Sequence, residues 1–516
     1  MSKMAKATLA LMIVTMLSKF LGFGRELVLA AFYGTGIYSQ AYISAMSIPS
    51  TLFTIIATAI VTTFMPLYFE NYSLGNDEQG NKFTSNILNI VVVIGIVIGI
   101  LGMVFTDELV KIFAMGYEGE KFALTVKFTR IMIFGGLFIA LSRIMASFLQ
   151  AKESFAISGM SGIPFNIIII TSIMLSVKVN IYILPIGTLL AMASQFIFQY
   201  IFARKKGYKY KFVLDVKDEY VKKMIWLLGP VIIGVCFNQL NTVIDRTLAT
   251  NIGGGSAVSV LNYANKLNGF VMGLFITSIA AVVYPILSNC LSSDDKEGFS
   301  KSIVKSVNSA ILLVVPVSVG AIVLSKPIVS LLFERGAFDE RDTHMTAIAL
   351  IFYSLGMVAF GLRDILGKVF YSLQDTKTPM INGIISVIIN IILNLVLSKF
   401  MGYAGLAFAT SISSTICIFL LFNSLKKKIG YFGQDKIIKA TIKSLIAAIV
   451  MGVTTYFAYE VMTSMLGVGS MSEAISLFTS IGLGAIVYGS LVILFKIEEV
   501  NVITNMIKNK VKKVKR

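Results

Sequence analysis

The chain has 516 residues, 56% of them hydrophobic and only 14% charged, a balance that excludes a soluble globular domain and points to an integral membrane protein. Its net charge is +18, from 45 Lys and Arg against 27 Asp and Glu. The basic residues lie mainly between apolar runs and near the C-terminal end, so the positive-inside rule accounts for most of them and nucleic acid is not an expected partner.

Apolar runs long enough to cross a bilayer predict about 14 transmembrane helices in an all-α fold. In chain order they lie near residues 7–32, 38–68, 86–112, 124–149, 156–177, 181–203, 223–249, 257–288, 302–325, 344–372, 379–399, 403–424, 438–463 and 473–495, with polar loops between them. The first run lacks a small-residue cleavage site, so a retained helix is expected there.

That first run carries Lys19, Arg25 and Glu26 where hydrocarbon should be, with Gly22 and Gly24 between the lysine and the arginine. A charge at the membrane centre costs about 2.5–3.5 kcal/mol on insertion scales, so such groups face protein or a water-filled cavity. Lys19, Gly22 and Glu26 share one helical face, and Arg25 lies off it unless the helix unwinds at Gly22–Gly24. Two readings stand: a structural ion pair of Arg25 with a partner helix, or a cationic patch for an anionic substrate.

Basic clusters at 203–209, 426–428 and 508–516 fall on one side of a 14-span chain. That side is expected to be cytoplasmic, with both termini inside. The stretch Glu70–Lys82 shares that side yet is more acidic than basic. The C-terminal cluster also suits contact with anionic membrane lipid.

The chain repeats itself at an offset of about 220 residues. Arg25-Glu26-Leu27, Gly34-Thr35-Gly36 and a helix ending Phe64-Met65-Pro66-Leu67-Tyr68 answer to Asp245-Arg246-Thr247, Gly253-Gly254-Gly255 and a helix ending Val283-Tyr284-Pro285-Ile286-Leu287. Ser147-Phe148-Leu149-Gln150 answers to Ser372-Leu373-Gln374. Two six-helix lobes related by a pseudo-twofold follow, 1–220 and 221–430, with a substrate site between them. The two helices of 431–516 are an appendage ending in a basic tail.

Polar residues mark the second half. The seventh run has Asn238, Asn241 and Asp245 on one face, followed by Arg246; the eighth has Asn262 and Lys266; the tenth has Arg363, Asp364 and Lys368. Arg363 and Asp364 are expected to pair internally. Lys19, Arg25, Arg246 and Lys266 outnumber Glu26 and Asp245, so a cavity built from them suits a phosphorylated substrate rather than a cationic drug. Cys236, Cys290 and Cys417 have no metal or redox spacing, and His344 is the only histidine. A zinc site and a histidine-based triad are therefore excluded. A glycosyl- or acyltransferase needs poised carboxylates or histidine near one face, and no such cluster is evident.

Ser18-Lys19-Phe20-Leu21-Gly22-Phe23-Gly24-Arg25-Glu26, Phe32-Tyr33-Gly34-Thr35-Gly36, Leu332-Phe333-Glu334-Arg335-Gly336-Ala337-Phe338-Asp339 and Tyr371-Ser372-Leu373-Gln374-Asp375-Thr376-Lys377-Thr378-Pro379 resemble the MurJ family of lipid II flippases, within the multidrug/oligosaccharidyl-lipid/polysaccharide exporter superfamily. The resemblance covers nearly the whole chain. It implies a non-enzymatic, alternating-access transporter of the bacterial cytoplasmic membrane, with a terminal helix pair forming a groove for the polyprenyl tail. The implied substrate is lipid II or another undecaprenyl-diphosphate-linked glycan, and cell-wall synthesis enzymes are implied partners; a cation-coupled multidrug exporter is the neighbouring alternative. By position it implies substrate contacts at Arg25 and, where lysine replaces a family arginine, at Lys19 and Lys266; Glu26, Arg246 and Asn262 join the candidate substrate-binding set from the reading of the residues above. Gln40 and Phe53 depart from the family pattern, which has aspartate and a cavity arginine near those positions.

No organic cofactor is expected. The resemblance extends to members with a sodium site, which would map to Asp245, Asn390, Asn394, the carbonyl of Leu406 and Thr410, so sodium or a proton is the coupling ion it implies. Asn390 and Asn394 are four apart and can converge on one ion; they can equally bond to each other as a helix-packing contact.

Overall fold

The computed structural model describes residues 3–467, 469–497 and 499; the basic cluster 508–516 lies outside them. The described residues form α-helices joined by short links. The first six are α1 (Lys3–Tyr33), α2 (Ile37–Val104), α3 (Thr106–Phe113), α4 (Gly119–Met132), α5 (Gly135–Ala151) and α6 (Phe155–Met160). Then come α7 (Gly162–Lys178), α8 (Ile183–Lys205), α9 (Glu219–Thr250), a 3-10 turn at Gly253–Gly255, α10 (Ser256–Ser292), α11 (Lys296–Val323) and α12 (Ser325–Phe333). The last six are α13 (Glu340–Leu355), α14 (Met357–Ser372), α15 (Lys377–Met401), α16 (Tyr403–Ile429), α17 (Gln434–Leu466) and α18 (Ser470–Leu494).

Among the described residues, ten helical segments are long and apolar enough to cross a membrane, or twelve if each of two bent pairs is one span. The other two expected spans fall on α1 and α9, continuous helices of 31 and 32 residues. Only helices satisfy every backbone group inside one segment, as hydrocarbon demands. Large apolar side chains such as Val97, Ile100 and Leu101 remain exposed outward, where lipid is their solvent.

The expected loop at 70–82 is helical: α2 runs unbroken for 68 residues through Pro49 and Pro66. No proline interrupts the 70–82 stretch itself, and its polar residues are compatible with helix once their side chains find partners. Glu70 pairs with Lys223 at 2.7 Å, Asp77 with Lys152 and Glu78 with Lys211. The acidic excess on this basic side is thus neutralised locally.

By packing, the chain divides into residues 1–259 with 335–338, and residues 260–334 with 339–516. The break falls after Ser259 rather than at 220, because α9 packs on α2 and α3. The first unit has its core between α2, α5 and α8, where Phe64, Tyr68, Phe83, Phe148 and Tyr208 stack edge and face. Burial raises the Tyr208 phenol above its ordinary range, and its hydroxyl meets Ser85 Oγ at 2.9 Å. In the second unit the core lies among α10, α11, α14 and α16. There α17 packs on both α18 and α11.

The internal repeat is visible in the elements. The pair α4–α5 bends by 40° and α13–α14 by 43°, each preceded by a short helix, α3 or α12. Both bends sit where a close approach excludes side chains. A Cβ on Gly136 would stand 2.0 Å from the Phe53 ring, and one on Gly356 2.5 Å from Ser411 Oγ. Ser39 and Ser259, 220 residues apart, meet hydroxyl to hydroxyl at 3.2 Å.

Candidate substrate site

The charged centre of α1 is built without unwinding. The helix is regular through Gly22 and Gly24, and Arg25 reaches its neighbour by the length of its own side chain: Nη2 donates to Glu26 Oε1 at 2.6 Å. Glu26 is 4% exposed. The partner helix is α7, which the sequence does not single out. Asn166 Oδ1 accepts from Arg25 Nη1 at 3.4 Å, and its Nδ2 donates to the carbonyls of Gly162 (2.8 Å) and Ser18 (3.3 Å). The Phe165 ring lies 5.5 Å from the guanidinium. The approach of α7 does not require glycine at position 22, since a Cβ there would make ordinary contact with the Asn166 amide at 3.6 Å. The signal in the sequence was one amide in an otherwise apolar run, Gly162-Ile163-Pro164-Phe165-Asn166-Ile167-Ile168.

Arg25 and Glu26 therefore form a nearly neutral buried pair, its arginine held by an amide and capped by an aromatic face. A buried charge is tolerated when it is paired and hydrogen-bonded. The pair sits among α1, α7 and the Tyr42–Thr188 contact of 2.8 Å, all in the first unit. Lys19 lies on the same helix, half-buried. Asp245 and Arg246 lie half-buried on α9, where Asn241 Nδ2 approaches Asp245 Oδ2 at 3.5 Å. Asn262, half-buried, and Lys266, exposed, lie on α10 in the second unit.

The two positions that depart from the family pattern are both structural in this chain. Phe53 is 1% exposed and fills the space over Gly136, so it belongs to the core and not to a cavity wall. Gln40 is 5% exposed; its Nε2 donates to the Thr35 carbonyl at 2.6 Å and closes the α1–α2 turn. Around it, Tyr117 donates to the Gln40 carbonyl at 3.3 Å, Ser44 donates to Tyr117, and Lys121 reaches the Gly254 carbonyl. Burial raises the Tyr117 phenol.

The motif Glu334-Arg335-Gly336-Ala337-Phe338 has a physical explanation. Gly336 has a φ of +64°, and a Cβ on it would stand 2.2 Å from the Ala31 carbonyl oxygen. Only glycine meets both demands, and the next amide, Ala337 N–H, donates to that same oxygen at 2.8 Å. This ties the α12–α13 link to the last turn of α1.

The residues of the implied sodium site in the second unit form a hydrogen-bonded chain. Asn394 Nδ2 donates to Asn390 Oδ1 (3.0 Å), Asn390 Nδ2 to Ser413 Oγ (3.2 Å), and Ser413 Oγ to the Thr410 carbonyl (3.1 Å). Thr410 Oγ1 donates to the Leu406 carbonyl (2.9 Å). Asn382 and Ser386 extend the ladder between α15 and α16. Every ligand offered here is neutral, and Asn390 Oδ1 and the Leu406 carbonyl already accept hydrogen bonds; Asp245, the one carboxylate of the implied set, belongs to the first unit. Among the described residues no three acidic, cysteine or histidine side chains cluster as metal ligands. The donor set within this unit does not fit a self-sufficient site for a hard cation.

Arg363 and Asp364 do not form the internal ion pair expected of them: among the described residues no bridge within 4 Å joins them. Asp364 instead lies in the field of both Arg363 and Lys368, and Lys368 sits over the rings of Tyr284 and Tyr371, 5.8 Å from each centroid.

Comparison with known proteins completes the picture. A family model described as "Lipid II flippase MurJ" matches residues 29–477. A probable lipid II flippase MurJ of Haemophilus influenzae is 30% identical over 515 residues, covering 95% of this chain and all of that protein. A solved structure, "Lipid II flippase MurJ, inward closed conformation", superposes with a TM-score of 0.79 at 26% identity, covering 93% of this chain and 98% of that one. An inward-facing multidrug resistance MATE family transporter superposes at 0.65 with 12% identity, over 83% of this chain and 99% of that one, which extends the shared fold to that superfamily.

Proposed function

The chain belongs to the MurJ lipid II flippase family, and from that premise we propose that it carries lipid II from the inner to the outer leaflet of the bacterial cytoplasmic membrane by alternating access. The observation that carries this reading is the match along almost the whole length of both chains to a MurJ structure. Transport of this kind makes and breaks no covalent bond, so the chain acts as a transporter and not as an enzyme.

The diphosphate is the part of the substrate that a membrane-embedded cation can recognise. Arg25 and Arg246 each supply a planar fork for two phosphate oxygens, and Lys19 and Lys266 supply point charges. In the present arrangement Glu26 occupies the Arg25 fork. Substrate binding on this reading exchanges carboxylate for phosphate, with Asn166 keeping hold of the guanidinium. Asn262 and Glu26 serve the sugar and peptide portions as neutral and acceptor groups.

The polyprenyl tail is assigned to the α17–α18 pair. Gly452 and Gly484 are packed tightly, against Val319 and Thr455, while Gly482 and Gly489 face open space. A tail groove on this pair would therefore run past Gly482 and Gly489. Both termini are assigned to the cytoplasm from the basic clusters at 203–209 and 426–428.

Depleting a bacterium of its own flippase and supplying this chain tests the reading. Restored growth together with restored outer-leaflet lipid II supports it. Growth restored only for another undecaprenyl-diphosphate glycan pathway would move the assignment to that substrate.

A further inference from the structure

One end of the second unit holds a basic cavity built from none of the candidate substrate residues. The first turns of α11, the link Tyr431–Gly433 into α17, and Lys496, Ile497 and Glu499 beyond α18 line it. They enclose a cavity of about 560 Å³ and, beside it, a deeper one of about 120 Å³. Six lysines and two glutamates line the pair. Both glutamates are engaged: Glu297 with Lys301 at 2.6 Å, and Glu499 with Asn308 Nδ2 at 2.6 Å. Lys443 donates to the Phe495 carbonyl at 2.7 Å. Among the described residues, Lys305, Lys436, Lys439 and Lys496 have no carboxylate within 4 Å. Like charges gathered around a small volume repel unless an anion sits among them.

A second observation points to the kind of anion. Asn308 lines the deeper cavity, is 2% exposed, and its Oδ1 has no hydrogen-bond partner among the described residues. A buried acceptor left unmet costs about 1–3 kcal/mol, so the fitting ligand brings a donor as well as a negative charge. The chain that follows Glu499 is itself rich in lysine and is not complementary to this cavity. Next to Lys436 and Lys439, Ile438, Ile442, Leu445 and Ile449 form an exposed apolar stripe at helical spacing along α17.

We propose that this paired cavity binds the headgroup of an anionic phosphoglycerolipid of the bilayer. The four lysines hold the phosphate, a glycerol hydroxyl donates to Asn308 Oδ1, and the acyl chains lie along the α17 stripe. None of its lysines is among the charges proposed to hold the substrate diphosphate, and the bound lipid anchors this end of the second unit in the bilayer.

The test uses the full-length protein in detergent, titrated with phosphatidylglycerol, phosphatidylcholine or inorganic phosphate, and read by native mass spectrometry and thermal unfolding. Phosphatidylglycerol is expected to be retained about tenfold more tightly than phosphatidylcholine and to raise the melting temperature. The combined variant Lys305→Gln/Lys436→Gln/Lys439→Gln should abolish that preference. Removing equal charge on the same side but outside the cavity, with Lys426→Gln/Lys427→Gln/Lys206→Gln, should leave it intact. Asn308→Leu should weaken phosphatidylglycerol while sparing phosphatidic acid, whose headgroup has no hydroxyl arm. Equal loss in both triple variants would overturn the site in favour of general surface charge. Protection by inorganic phosphate without any by phosphatidylglycerol would overturn the lipid assignment.

Discussion

Two polar features lie inside the membrane-spanning helices, and they are built on opposite principles. On α1, Arg25 and Glu26 bring full charges into the interior, held by each other, by Asn166 and by the Phe165 ring. Between α15 and α16, Asn382, Ser386, Asn390, Asn394 and Ser413 form a ladder that carries no charge at all. A charge in hydrocarbon must be met completely, so each partner of the first feature depends on the others. Neutral amides can lose one bond and find another, and interhelical hydrogen bonds of this kind average about 0.6 kcal/mol. The first arrangement can therefore be switched by an incoming anion, whereas the second mainly fixes the register of two helices.

The sharpest way to break this contrast is Glu26→Gln. It leaves the Arg25 charge buried without its counter-ion, which typically costs about 3–5 kcal/mol, and the variant should unfold at a clearly lower temperature. Adding Arg25→Gln should recover most of that stability. The double variant then separates the two readings of the pair. Folded but inactive in flipping, it marks Arg25 as a substrate contact; folded and fully active, it reduces the pair to a packing device.

Asn166→Ala is expected to do less. It removes one acceptor and two donated bonds while leaving the salt bridge, for a loss of about 1–3 kcal/mol, and it should shift melting without abolishing expression. A variant as stable as the parent would show that Asn166 does not support the pair.

On the neutral side, Asn394→Ala should cost about 0.5–1 kcal/mol. Replacing sodium by potassium should change neither melting nor flipping, because the ladder carries no carboxylate to hold a hard cation. Sodium-specific stabilisation that disappears in Asp245→Asn would reverse this and restore the ladder as part of an ion site.

A pH-dependent effect is expected outside the bilayer, at the α14–α15 turn. Burial alone would raise the Asp375 carboxyl. The Lys428 ammonium at 2.6 Å and the amide and hydroxyl of Thr378 outweigh burial and bring it from an ordinary 3.8 to about 2. A carboxyl whose folded pKa is depressed contributes stability above its unfolded pKa and loses it as pH falls through the folded one. The parent should therefore lose stability between about pH 4 and pH 2 relative to Asp375→Asn, and the two melting curves should converge at the acid end of that window. A pH-independent difference between them would assign the turn's stability to geometry rather than to charge.

Much of the fold was legible because hydrocarbon leaves few choices: an apolar run of spanning length has to be helix. The repeat was legible too, since Arg25 and Arg246, and Ser147 to Gln150 and Ser372 to Gln374, recur with their neighbours. The stretch 70–82 was misread as a loop because its polarity looks like exposure, while its partners Lys152, Lys211 and Lys223 lie far along the chain. Phe53 looked like a substitution in a cavity wall, but it is a core residue wedged over Gly136. Asn166 was invisible because one amide in an apolar run has no local consequence until another helix brings a charge to it.

The sequence by itself determined that this chain crosses a membrane many times, that it is duplicated, and which motifs it shares with lipid II flippases. These are properties of composition and periodicity, readable along a single strand of text. Only the tertiary structure decided which charges are spoken for. Whether Arg25 meets Asn166, whether Asn390 meets an ion or Ser413, and whether Gly484 or Gly482 borders open space all depend on groups from distant parts of the chain. A hydrogen bond or a contact acts over a few ångströms, and the separation of its partners in sequence leaves no trace of it.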